Sequence, residues 1–243
     1  MKTAGQEVAY PARQAEAEAE AESGARTLQP TGLPVKSYLL RPRGTLYWGG
    51  AGLDGDYLPI TAKAFQRAGI AAINVGLTNT ATKTVLGGGG MFVDALRAGL
   101  TIRYQDDGEW VITSGMDSEA RQFNLIGYSY GSLLAAQTAN YYANQGHTVD
   151  HLVLIGSPID AVFLGNLRAN KAIRKVVVID LKEQGDPLYA GISQWEVVAA
   201  APILAAQMSA GKGHGHFYYA HVTAELPERL DRLARRIAAE GVR

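Results

Sequence analysis

One short segment constrains the fold of this chain more than any other feature: an apolar run, a Gly-Tyr-Ser-Tyr-Gly turn and a helical stretch in direct succession. The apolar run covers residues 123–126, the turn residues 127–131 and the helical stretch residues 133–144. Glycine at both ends of the turn permits a sharp bend from strand to helix, which forces the serine between them into a strained backbone conformation. The segment therefore predicts that Ser129 is presented at the carboxyl edge of a sheet.

From residue 35 onward, short apolar runs alternate with helical stretches, a pattern typical of βαβ units and a mostly parallel sheet. Strands are predicted at residues 35–40, 45–48, 70–75, 123–126, 151–155 and 176–181. Helices are predicted within residues 57–67, 91–100, 133–144, 161–175, 195–209 and 225–240, with a hairpin at residues 101–113. The fold class is α/β: a three-layer sandwich with a mostly parallel sheet of about six strands, helices on both faces and no large cap domain.

The first 34 residues differ from the rest of the chain. Ala and Glu alternate over residues 15–22, and two prolines, Pro30 and Pro34, follow. Glutamates at every second position point all round a helix, so no apolar stripe remains to dock on a core. We therefore expect residues 1–34 to be a flexible or helical arm and residues 35–243 to be one domain, since a single core can support about 200 to 250 residues.

Charge and composition exclude several classes of function. The 23 Lys+Arg balance the 23 Asp+Glu and the formal net charge is +0, so no overall field attracts nucleic acid or an anionic membrane surface. Because the chain contains no cysteine, disulfides, thiolate metal sites, iron–sulfur clusters and a thiol nucleophile are excluded. No run approaches the roughly 20 apolar residues of a membrane span, and the N-terminus lacks the apolar core of a signal peptide. We expect a cytoplasmic protein, or one exported by a route that is independent of a signal peptide.

Residues 127–131 match Gly-x-Ser-x-Gly between a strand and a helix, and on this basis residues 35–243 resemble the α/β-hydrolase superfamily. The resemblance implies an α/β-hydrolase-like sandwich in which Ser129 is the nucleophile. It also implies that an acid and then a histidine follow the nucleophile in the chain.

Five histidines are candidates for the base. His147 follows the helix after Ser129 and His151 begins a strand, so both fall at the amino edge of the predicted sheet. Gly215-His216-Phe217 looks like the Gly-His-aromatic ending of the family, so the resemblance implies His216 as the base. His214, two residues earlier in the same glycine-rich loop, stays open as the alternative.

The resemblance places the acid just beyond the strand predicted at residues 176–181. Asp186 in Gly185-Asp186-Pro187 fits that position, where a carboxylate would hold the imidazole in the required tautomer and stabilise its protonated form. Asp180 takes this role if the strand ends sooner, and Asp160 takes it if the acid follows the preceding strand.

The resemblance also implies an oxyanion hole made of two backbone N–H groups. Tyr130, directly after the nucleophile, would supply one, and either Gly50 or Ala51 would supply the other from the loop after the strand at residues 45–48. That loop begins with Trp-Gly where the family commonly has His-Gly, so the motif leaves the second donor open. Residues 87–90 and the hairpin at residues 101–113 are the candidates for a lid.

Aromatic residues near Ser129 suit an apolar acyl group, and Tyr128 and Trp48 are predicted to contact the substrate. The hypothesis is a serine hydrolase that cleaves a carboxylic ester, as an esterase or lipase with phospholipases included, through an acyl-enzyme and a Ser-His-Asp triad. A thioesterase or peptidase with the same triad, or a non-catalytic binding protein with the α/β-hydrolase fold, are the alternatives. We expect no cofactor and no metal. The expected partner is a small-molecule or lipid acyl substrate, with no nucleic acid, no integral membrane span and no protein partner identified by the sequence.

Overall fold

The computed structural model describes residues 43–50, 55–71, 73–76 and 119–243. Five strands in these ranges form one sheet: β1 (Gly44–Trp48), β2 (Ile73–Gly76), β3 (Phe123–Tyr128), β4 (His151–Ile155) and β5 (Val176–Ile179). Their order across the sheet is β2-β1-β3-β4-β5, and each adjacent pair is parallel. The predicted arm, the strand at 35–40, the helix at 91–100 and both lid candidates lie outside the described residues.

Helices cover both faces of this sheet. They are α1 (Tyr57–Arg67), α2 (Tyr130–Asn144), α3 (Ala161–Ala169), α4 (Gln194–Ala210) and α5 (Leu226–Ala239), with short 3-10 turns at Lys182–Gln184 and Gly215–Phe217. Apolar side chains of α2 and α3 form one core cluster with the sheet, and those of α1 and α5 form a second cluster. The described part of the chain is therefore a three-layer α/β sandwich, which confirms the predicted fold class.

Side chains of the central strands alternate between these two clusters. In β1, Leu46 and Trp48 lie in the cluster of α2 and α3, whereas Tyr47 lies in the cluster of α1 and α5. In β4, Leu154 and Ile155 divide between the clusters in the same way. Because successive side chains of a strand point to opposite faces, a strand covered on both faces needs apolar residues at nearly every position. This requirement explains the continuous apolar runs in the sequence.

The strand predicted at residues 70–75 begins later, and β2 covers Ile73–Gly76. Ile70 is buried, but its N–H donates to the carbonyl oxygen of Phe65 in α1 at 3.0 Å, so that group is not part of the sheet. The apolar run therefore combines the end of a helix–strand connection with the start of the strand. Similarly, the helix predicted from residue 133 begins at Tyr130, immediately after the turn.

Helix α4 packs apart from the main core. Its Val197, Ala200 and Leu204 form a small cluster with Leu188 and Ile192 from the loop that precedes it. The helix therefore packs against the loop that follows β5, apart from the two core clusters on the sheet.

The strand order changes direction between β1 and β3, since β2 flanks β1 on one side and β3, β4 and β5 follow on the other. In open parallel sheets, ligands bind outside the carboxyl ends of the strands at such a switch point. The carboxyl ends of β1 and β3 are therefore the expected position of a binding site. The loop at Gly49 and the turn at Ser129 begin there.

Candidate active site

Ser129 has a strained backbone at the end of β3. Its φ of 56° and ψ of −126° make it the single non-glycine residue with positive φ among the described residues. Two hydrogen bonds hold this conformation: the Ser129 N–H donates to the carbonyl oxygen of Ile155 at 2.8 Å, and the Ser132 N–H donates to the carbonyl oxygen of Ser129 at 3.0 Å. Such strain persists only where the surrounding structure enforces it, and it concentrates at functional sites.

The two glycines of the turn allow the backbone segments to approach closely. A Cβ atom on Gly127 would lie 2.2 Å from the carbonyl oxygen of Gly131, and one on Gly131 would lie 2.3 Å from the carbonyl oxygen of Gly49. Both glycines have φ values outside the left-handed region, so their requirement is one of space. Helix α2 can therefore begin directly above the end of β1, beside Ser129.

Three side chains form a continuous series of contacts at this edge. Ser129 Oγ lies 2.6 Å from His216 Nε2, and His216 Nδ1 lies 2.8 Å from Asp186 Oδ2. An ionised carboxylate only accepts hydrogen bonds, so Nδ1 carries the imidazole proton and Nε2 presents its lone pair to the serine hydroxyl. The arrangement therefore suits proton transfer from Ser129 to His216.

Asp186 is fixed at the start of the loop after β5. Its N–H donates to the carbonyl oxygen of Leu181 at 3.1 Å, and its Oδ1 accepts from the Leu188 N–H at 2.8 Å. One carboxylate oxygen thus organises its own loop and the other binds His216. Asp186 and His216 are both buried, which strengthens their electrostatic interaction.

The alternative residues lie elsewhere. His214 is exposed and precedes the 3-10 turn that carries His216. Asp180 is exposed and accepts from the Ala190 N–H at 2.9 Å, while Asp160 caps the N-terminus of α3. Of the candidate acids and bases, the structure brings Asp186 and His216 to Ser129.

The structure corrects the prediction that Tyr128 and Trp48 contact the substrate. Tyr128 is 1% exposed, its hydroxyl donates to the carbonyl oxygen of His216, and its ring stacks on the imidazole with centroids 5.8 Å apart. Burial raises the pKa of this tyrosine well above its ordinary value, so it remains a neutral donor. Trp48 is 6% exposed and packs in the core cluster of α2 and α3. The fold therefore buries both rings in its core instead of presenting them to a ligand.

The candidate oxyanion donors differ in availability. Gly50 passes close to the nucleophile, since a Cβ atom there would lie 3.2 Å from Ser129 Cβ. However, the Gly50 N–H donates to the hydroxyl of Tyr57 at 2.7 Å, so this N–H already has an acceptor. Ala51 lies outside the described residues. Tyr130 is the first residue of α2, where a helix leaves its N–H groups without intrahelical acceptors.

Sequence reasoning did not identify several polar residues that support the site. Tyr57 holds Gly50, Gln207 contacts the backbone of His216, and Ser132 and Ser157 form a buried hydrogen bond of 2.7 Å beneath the turn. Each lies far from Ser129 in sequence or within an ordinary helical pattern, so no local signal distinguishes it. In the described part of the chain, no group of three or more His, Asp or Glu side chains is arranged to hold a metal ion. Among the same residues, no helix combines the length and apolar character that a membrane crossing requires.

A family model and a solved structure are similar to this chain. The family model described as Thioesterase domain, an α/β-hydrolase family, matches residues 114–178, which include β3, Ser129, α2 and β4. No curated protein sequence matches the chain. One solved structure is described as an extracellular α/β-hydrolase from a Paenibacillus species that shares structural and functional homology with tobacco salicylic acid binding protein 2. It is 12% identical over 66% of this chain and 65% of its own length, with a TM-score of 0.25.

The fold, the turn and the family model agree with one another. The parallel sheet has helices on both faces, and Ser129 stands between β3 and α2 within the matched range. The described part of the chain therefore has an α/β-hydrolase-like fold, and residues 114–178 are similar to the Thioesterase domain family of the α/β-hydrolase superfamily.

Proposed function

We propose that this protein cleaves a carboxylic ester through an acyl-enzyme formed on Ser129. The observation that carries the proposal is the series of contacts from Ser129 Oγ through the two ring nitrogens of His216 to Asp186 Oδ2, at 2.6 and 2.8 Å. A serine hydroxyl is a weak nucleophile until a neighbouring base removes its proton. His216 is in position for that step, and Asp186 is in position to stabilise the imidazolium that results.

In the first half of the reaction, Ser129 Oγ attacks the acyl carbon as its proton passes to His216 Nε2. The carbonyl oxygen becomes an oxyanion in a tetrahedral intermediate. The intermediate collapses when His216 Nε2 returns the proton to the leaving alcohol oxygen, which breaks the ester bond and leaves the acyl group on Ser129.

In the second half, His216 takes a proton from water, and the resulting hydroxide attacks the acyl carbon. The second tetrahedral intermediate collapses as His216 Nε2 donates its proton to Ser129 Oγ. The carboxylic acid leaves and the hydroxyl of Ser129 is restored.

We assign one oxyanion donor to the N–H of Tyr130, because it lies at the positive end of α2 beside Ser129. The hydrogen bond from Gly50 to Tyr57 favours Ala51 over Gly50 as the second donor. A single missing donor in such a hole lowers kcat by about 10² to 10³-fold.

The test is intact-mass spectrometry after treatment with a fluorophosphonate, with wild type beside Ser129→Ala. We expect one phosphonyl adduct on the wild type and none on the variant. The same pair should differ in turnover of a short-chain nitrophenyl ester by at least about 10³-fold, with equal melting temperatures. Folded wild type without an adduct would argue for a non-catalytic binding protein, and an adduct on Ser129→Ala would place the nucleophile elsewhere.

A thioesterase is the second candidate, favoured by the Thioesterase domain match over residues 114–178. The same three residues serve both reactions, because a thiolate leaves more readily than an alkoxide and also accepts a proton from His216. The discriminating measurement compares kcat/KM for the oxoester, thioester and anilide of one acyl group. If kcat/KM is largest for the oxoester, the esterase proposal is supported. If it is largest for the thioester or the anilide, a thioesterase or a peptidase replaces the esterase as the proposed function. Extending the acyl chain then separates an esterase from a lipase.

A further inference from the structure

We propose that Gln207 is a positioning residue that joins the loop of Asp186 to the loop of His216, an inference that rests on the proposed function. Its Nε2 donates to the carbonyl oxygen of Gly185 at 2.9 Å. Its Oε1 accepts from the backbone N–H of His216 at 2.8 Å. One side chain of α4 therefore binds the backbone beside the acid and the backbone of the base.

The chemistry of these two partners requires an amide. A backbone N–H only donates and a backbone carbonyl only accepts, so the bridging side chain must accept at one end and donate at the other. Glutamine meets both requirements within a single planar group. An ionised glutamate would accept from His216 but would face the carbonyl oxygen of Gly185 with a second acceptor, and a methionine of similar length would satisfy neither partner.

The residue before His216 is a glycine, and the absence of a side chain there leaves space for this amide. Gly215 has φ of 58°, and a Cβ atom there would lie 2.2 Å from both Oε1 and Nε2 of Gln207. The amide therefore fills the space beside the Gly215 Cα that any larger residue would occupy. The Gly215-His216 pair therefore supplies the proposed base and also the space that the Gln207 amide occupies.

His216 needs such support because no strand carries it. It lies in a 3-10 turn after α4, whereas Asp186 lies in the loop that follows β5. Tyr128 binds the backbone carbonyl oxygen of His216 and Gln207 binds its backbone N–H, so both polar groups of the residue's main chain are held. Gln207 also restrains Gly185, which holds the acid loop at the distance that the 2.8 Å contact between His216 and Asp186 requires. Small displacements of such groups can lower a rate by about 10²-fold.

The test compares Gln207→Met and Gln207→Glu with wild type in the full chain. Gln207→Met keeps the length of the side chain and removes both hydrogen bonds. Gln207→Glu keeps the shape of the side chain and replaces the donor with an acceptor, so an effect shared by both variants does not come from a packing defect of methionine. Gln194→Met is the matched control, because it makes the same substitution at an exposed position of the same helix. The readouts are kcat and KM for a nitrophenyl ester, and the low-field proton NMR resonance of a histidine Nδ1–H bonded to a carboxylate.

We expect both Gln207 variants to lower kcat by at least about tenfold with little change in KM, and to weaken the low-field resonance or shift it upfield. Gln194→Met should match wild type in every readout. Wild-type kcat and an unchanged resonance in both Gln207 variants would overturn the inference, as would an effect confined to KM, which would assign Gln207 to substrate binding. If wild type shows no phosphonyl adduct and no ester turnover, the proposed function fails. The resonance still tests the positioning of His216 by Gln207 in that case.

Discussion

Burial and contact distinguish two histidines that stand two positions apart. His216 is 4% exposed and both of its ring nitrogens have partners at the site, whereas His214 is exposed at the start of the same 3-10 turn. His214 has an extended backbone before the turn, whereas His216 lies within the turn, and the two side chains have different surroundings. The sequence left both open, because a local motif does not report which side chain meets Ser129.

Substitution of these two histidines tests the assignment. His216→Ala should reduce ester turnover by at least about 10³-fold, because the hydroxyl of Ser129 then has no base. His214→Ala should stay within about twofold of wild type, since an exposed side chain away from the reacting atoms contributes little. Steady-state hydrolysis of a nitrophenyl ester measures both. The opposite ranking would transfer the role of base to His214.

Among the secondary-structure elements, α2 and the end of β1 approach each other closely beside Ser129. The helix begins directly after the strained residue, and the Cα of Gly131 lies against the backbone of Gly49. The predicted motif thus describes two properties at once: a sharp turn and a close approach of two backbone segments. The second of these is visible only once β1 and β3 are paired.

Gly131→Ala should lower stability, because its Cβ atom would lie 2.3 Å from the carbonyl oxygen of Gly49, a backbone atom that has little freedom to move. Overpacking of this kind costs about 1 to 3 kcal/mol. The matched control is Gly165→Ala in α3, where a Cβ atom would meet nothing within 4 Å. That change should raise stability by about 0.5 to 1 kcal/mol, because alanine favours a helix over glycine. Denaturant unfolding of the two variants should therefore shift in opposite directions, and equal shifts would contradict this account.

Over the whole molecule, a shared feature of the two core clusters is their buried tyrosines. Burial raises the pKa of Tyr47, Tyr57, Tyr128 and Tyr130 above the ordinary value of 10.0. Tyr128 and Tyr57 also meet edge to face, with ring centroids 6.1 Å apart, which links the site to α1. The folded state therefore disfavours the ionised form of these four tyrosines.

These raised pKa values predict that the free energy of unfolding decreases at alkaline pH. The folded pKa values lie above those of the unfolded chain, so the contribution of these tyrosines is complete below about pH 10 and is lost as the pH rises further. Tyr130→Phe should flatten the fall of unfolding free energy with pH by up to about 1.4 kcal/mol per pH unit. The ionisation of Tyr130 is measured as the difference in tyrosinate absorbance between wild type and Tyr130→Phe, and we expect this difference to appear together with the loss of circular dichroism. A difference that develops while the protein is still folded would contradict this prediction.

The sequence by itself determined the α/β class, the position of the strand–serine–helix turn and, within the described residues, most of the element boundaries. It did so because periodicity, glycine spacing and apolar runs are local consequences of helix and strand geometry. The expected location and domain boundary stay predictions. The tertiary structure decided which histidine and which aspartate meet Ser129, and it showed that Tyr128 and Trp48 are buried. It also brought Gln207, Gly185 and His216 together and engaged the N–H of Gly50 with Tyr57. These contacts join residues that are distant in the chain, and they exist only when strands, helices and loops are packed around one sheet edge.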